Sequence, residues 1–78
     1  MKLLNIFKPK FLEHEKNGII NLRDIIFVGR QFLIHEKKYC IMFISNRGVN
    51  VTWTFFDVQD RDKIYGKIKH ILGVVSVE

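Results

Sequence analysis

The stretch that decides the fold reads Tyr39-Cys40-Ile41-Met42-Phe43-Ile44-Ser45-Asn46, then Arg47-Gly48, then Val49-Asn50-Val51-Thr52-Trp53-Thr54-Phe55-Phe56. Two runs of β-branched and aromatic residues flank a turn that contains glycine, the signal of a β-hairpin. In the second arm Val49, Val51, Trp53 and Phe55 alternate with Asn50, Thr52 and Thr54, so one face is dry and the other wet. The first arm differs. Tyr39, Ile41 and Phe43 point one way, Cys40, Met42 and Ile44 the other, and both sets are apolar. A strand that is greasy on both sides needs cover on both sides.

Upstream, residues 11–15 read as a short strand that turns at Asn17-Gly18, where both residues tolerate positive φ, and returns over residues 19–22. Arg23-Asp24 interrupts before the strongly β-prone Ile25-Ile26-Phe27-Val28. Gly29 marks a bulge or a close backbone approach. Phe32-Leu33-Ile34 continues the strand, and Glu36-Lys37-Lys38 is a polar turn into Tyr39. Neighbouring strands tend to pair, so residues 11–56 are expected to form an antiparallel meander of three to five strands.

Downstream of Phe56 the apolar period lengthens. Ile64, Ile68, Ile71 and Leu72 fall on one stripe with Tyr65 at its edge, which predicts an amphipathic helix over residues 57–73. Asp57 suits the N-cap, with Asp60 three residues on, and Gly73 suits the C-terminal stop. Residues 74–78 form a short β-prone tail, a candidate edge strand. Residues 1–12 read as an N-terminal arm or short helix interrupted at Pro9. The predicted fold class is α+β, a single domain in which the C-terminal helix packs on one face of the meander.

At 78 residues the chain is near the lower limit for folding on one core, and its single cysteine excludes an internal disulfide. Hydrophobic residues at 47%, aromatics at 13% and the lack of any alanine suit a sheet protein. No apolar run approaches the length of a membrane span, and the opening residues lack the pattern of a signal peptide, so the cytoplasm is the expected location. Leu3, Leu4, Ile6 and Phe7 mixed with Lys2, Lys8 and Lys10 admit a membrane-surface anchor, but packing on the domain suits so short an arm better.

Chemistry is sparse. His14, His35 and His70 stand far apart in sequence with no ligand spacing, so neither a metal site nor a cofactor is expected, and His14 and His35 read as surface residues. Cys40 lies between Tyr39 and Ile41, an apolar setting that disfavours a reactive thiolate and suits a small buried hydrophobe. Asp57, Asp60 and Asp62 cluster at the helix start, where the macrodipole explains them. There is no phosphate-binding glycine loop, and the glycosylation sequon Asn50-Val51-Thr52 is a chance match. The chain is expected not to be an enzyme. In outline, a bent antiparallel sheet closed by a C-terminal helix resembles pleckstrin-homology-like and other small binding modules, a likeness of shape alone.

Two functions fit these residues. The first is a non-enzymatic interaction module, a regulator or inhibitor by type, that forms a homodimer or docks on a partner protein through Cys40, Met42 and Ile44, the side a single helix leaves bare. The alternative is a small nucleic-acid-binding domain. Net charge is +5 with a pI near 9.6, and Lys63, Lys67 and His70 share one helical arc, to which Lys37, Lys38 and Arg47 at hairpin turns could add. Against it, no exposed aromatic is expected among these lysines. A small-molecule pocket by Trp53 or Tyr39 at a subunit junction has no positive sign.

Overall fold

The computed structural model describes residues 10–75 and 77. Most of the expected N-terminal arm therefore lies outside the described residues. From Lys10 the chain enters strand β1 (Phe11–His14), turns, and returns as β2 (Gly18–Asn21), with Leu12 opposite Ile20. The turn is closed by Gly18 at φ 109°, a conformation glycine adopts without steric cost. One turn of 3₁₀ helix (Leu22–Asp24) follows, its first free amide satisfied by the Asn21 side chain, which accepts from the Arg23 N–H at 3.1 Å.

The second half builds a three-stranded antiparallel sheet in the order β3 (Ile25–Leu33), β4 (Lys38–Ser45), β5 (Asn50–Phe55), and then helix α1 (Val58–Leu72). The fold class is the expected one: antiparallel strands and a C-terminal helix packed on the sheet. The meander is not continuous, however. The β1–β2 ribbon is a separate two-stranded sheet, because the 3₁₀ turn redirects the chain before β3 begins.

Register divides the larger sheet into two sides. Ile41 faces Arg30 and Trp53, Phe43 faces Val28 and Val51, and Tyr39 faces Phe32 and Phe55. These residues share the side on which α1 lies. Ile41, Phe43, Trp53 and Phe55 are buried there with Ile68 of α1, while Ile64, Tyr65 and Ile71 pack around them. Ile20 and Leu22 complete the cluster, so the β1–β2 ribbon closes the same side that the helix covers. Each of these large side chains contributes roughly 1.5–3 kcal/mol by leaving water.

The helix begins and ends as its sequence dictates. The Asp57 carboxylate accepts the Gln59 N–H at 2.8 Å, and Gly73 at φ 67° turns the chain, its N–H bonding the His70 carbonyl at 3.2 Å. Asn17 ties the two sheets together. Its side-chain amide accepts the Thr54 N–H at 3.0 Å and donates to the Thr54 carbonyl at 3.1 Å, pairing with edge strand β5 as a backbone residue would.

Several boundaries differ from expectation. The bulge lies between Ile25 and Phe27 rather than at Gly29. The turn before β4 spans residues 34–37, so Lys38 is already in the strand. Val49 precedes β5 and is exposed, as is Val51, because α1 runs from the Phe55 end of β5 towards the Ile25–Val28 end of β3 and leaves that corner uncovered. The tail is not a strand among the described residues. Val74, Val75 and Val77 are exposed and pair with no described strand.

Candidate functional site

The other side of the sheet carries Phe27, Gly29 and Gln31 from β3, Cys40, Met42 and Ile44 from β4, and Asn50, Thr52 and Thr54 from β5. The helix and the ribbon both lie on the opposite side, so this one has no described cover. Cys40 is fully buried, yet it stands outside the main core cluster. Met42 and Ile44 are half-buried. The register puts these three residues on one face, as strand alternation predicts, and adds Phe27 from β3, which faces Ile44 and is 50% exposed. Its ring lies over Gly29: a Cβ added there would stand 2.9 Å from the Phe27 Cε1. The close approach at Gly29 is thus by a ring and not by a backbone. The signal was available, since Phe27 and Gly29 are two apart and share a face.

This face carries no charged side chain between Lys38 at one end and Asn46-Arg47 at the other. Cys40 does not change its character. Burial pushes the thiol pKa above its usual value, and the Arg61 charge and a hydrogen bond from the Gln31 backbone only partly offset that. A protonated, enclosed thiol is a weak nucleophile.

A second feature lies where the β1–β2 turn meets the first half of α1. Here a groove of about 310 Å³ has Phe55, Phe56 and Ile64 in its lining, with Lys16 on the turn and Lys63 and Lys67 on the helix. Phe56 is 76% exposed. The ammonium groups of Lys16 and Lys38 lie 5.7 and 5.4 Å from its ring centroid, exposed cation–π contacts worth about 0.5–1 kcal/mol each. The expectation that no exposed aromatic stands among the lysines is therefore overturned. Phe56 follows the buried Phe55 where β5 ends, and strand alternation turns it outwards.

The remaining basic residues do not form one patch. His70 is exposed on the same helical arc, about 10 Å along the axis from Lys63. Lys37 is exposed in the β3–β4 turn, near Lys38. Arg47 lies at the other end of β4, about 25 Å away by strand length, and cannot join Lys38 in a single contact. The acidic cluster at the helix start also has a structural role. The Asp62 carboxylate pairs with Arg30 at 3.3 Å and Arg61 at 3.0 Å. Desolvation opposes its charge, but hydrogen bonds and charge from the two guanidinium groups outweigh that and hold its pKa below the usual carboxylate range.

His14 is not a plain surface residue. It is half-buried against Phe55 and Trp53, at ring-centroid distances of 4.9 and 5.8 Å, and Nδ1 lies 2.8 Å from the Asn17 amide nitrogen. No group of three histidine, cysteine or carboxylate side chains among the described residues could hold a metal ion. No helix among them is long and apolar enough to cross a membrane. Comparison of the chain with protein-family models, with curated proteins and with solved structures gave no match.

Proposed function

We propose that this small α+β domain is a non-enzymatic interaction module that self-associates through the open sheet face, with a second copy of the chain as its occupant. The observation that carries the proposal is the neutral, apolar surface made by Phe27, Met42 and Ile44. Two chains of net charge +5 repel at a distance. A two-fold contact between two such faces brings no charge against its like in the centre, since the cations lie at the ends. The same neutrality makes the face a poor match for a polyanion.

Size sets the strength. Three strands about 4.8 Å apart and about 25 Å long offer roughly 350 Å² per chain, so a pair buries about 700 Å², below the standard interface. Association is therefore weak and concentration-dependent. A regulator or inhibitor fits such a module, and the single buried thiol suits a reducing compartment such as the cytoplasm.

Analytical ultracentrifugation over a hundredfold concentration range tests this. Dimer formation at high micromolar concentration is expected, together with its loss in Ile44→Glu, whose carboxylate would be forced against an apolar surface. A chain that stays monomeric at millimolar concentration ends the proposal. If a different protein binds the same face of a strictly monomeric chain, the occupant named here is wrong.

A further inference from the structure

We infer that the groove beside Phe56 binds single-stranded nucleic acid, stacking a base on the Phe56 ring and holding the adjoining phosphates with Lys16, Lys63 and Lys67. Binding here does not require self-association through the sheet.

Three observations meet here. The groove is concave and about 310 Å³ in volume, within the range of clefts that enclose a small ligand unit, and lysines on its two walls converge their fields within it. Lys63 and Lys67 make no salt bridge among the described residues, so no described carboxylate neutralises their charges. Phe56 is 76% exposed at its rim, and among the described residues its ring meets the ammonium groups of Lys16 and Lys38.

A largely exposed aromatic ring among cations is what an unstacked base on a polyphosphate chain requires, the base taking the place of the ammonium groups over the ring. In a duplex the base faces are already stacked, so a platform of this kind selects single strands. A flat lipid surface cannot enter the groove to reach Lys63 and Lys67. Glu15 and Asp60 also line it and weaken its field, but with Lys38 beside the ring there are four lysines against two carboxylates. Either DNA or RNA offers the chemistry, and the 2′-hydroxyl is what would distinguish them.

Fluorescence anisotropy with short labelled oligothymidylate and oligouridylate tests the inference on the full chain. For three phosphate contacts, affinity should fall about 20-fold between about 50 and about 200 mM salt. Phe56→Ala should weaken binding about tenfold or more while leaving that salt response unchanged. Lys63→Gln with Lys67→Gln should reduce the salt response to about threefold. An abasic oligonucleotide should bind the unaltered chain as weakly as oligothymidylate binds Phe56→Ala. Because Phe56 and both lysines are exposed, circular dichroism of the variants should match the parent. No binding at low salt, or Phe56→Ala binding as tightly as the parent, overturns the inference. Phe56-dependent sedimentation with anionic lipid vesicles, without oligonucleotide binding, overturns it too.

Discussion

Alternate residues of β4 have different fates although their side chains are alike. Ile41 and Phe43 are fully buried beneath α1 and the β1–β2 ribbon, whereas on the other face only the small Cys40 is fully buried and the larger Met42 and Ile44 are half-buried. Hydrophobicity does not separate these pairs. What separates them is the direction taken after Phe55, which lays α1 across the Ile41 side. A 15-residue helix about 22 Å long covers one side of a three-stranded sheet and no more. An apolar strand face thus becomes core or surface according to where its cover arrives.

The comparison predicts a steep contrast in stability. Trp53→Ala removes the largest side chain of the covered face and should cost about 3–5 kcal/mol, a large part of the 5–15 kcal/mol typical of a whole domain. Met42→Ala on the open face should cost under about 1 kcal/mol. Urea denaturation measures both, and equal losses would mean that the two faces are covered alike. Asn17→Ala should fall between them, at about 1–2 kcal/mol, because the part-buried Thr54 N–H and carbonyl would lose their partner.

Gly29→Ala sharpens the contrast further. The added methyl would meet the end of the Phe27 ring, which can swing away, so stability should change by less than about 1 kcal/mol. The displaced ring should nevertheless weaken self-association in the ultracentrifuge. Unchanged association would remove Phe27 from the contact. The smallest effect is expected on the helix-covered side, at Asp62. Its pKa in the folded chain is lowered, so the stabilisation is present above the unfolded value near pH 4 and disappears as pH falls through the folded value. Asp62→Asn should lack this acid-dependent loss in denaturation curves measured from pH 5 down to about pH 2.

Much of the fold was legible because it depends on neighbours in sequence. Alternation along residues 39–56 assigned the sides of β4 and β5, and Asn17-Gly18 placed the first hairpin. Asp57 and Gly73 marked the ends of the helix within a residue. Legibility stopped where distant parts meet. Asn17 was read as a turn residue, but its side chain also binds Thr54, 37 positions away. His14 was read as a surface residue because nothing near it in sequence reveals that the ribbon folds onto Trp53 and Phe55. The candidate residues divide in the same way: the shared face of Cys40, Met42 and Ile44 follows from strand alternation, whereas Phe56 gathers lysines from a turn, a strand and a helix.

By itself the sequence determined the secondary elements, the two-sided character of β4 and the absence of a disulfide within these 78 residues, since spacing, turn chemistry and residue counts act locally. Only the tertiary structure decided which side of β4 became core, that the first hairpin stands apart from the sheet, and that Phe56 lies exposed beside a basic groove. Those outcomes depend on the path of the helix and the docking of the ribbon. Both are set by the packing of surfaces remote in sequence, which no local pattern encodes.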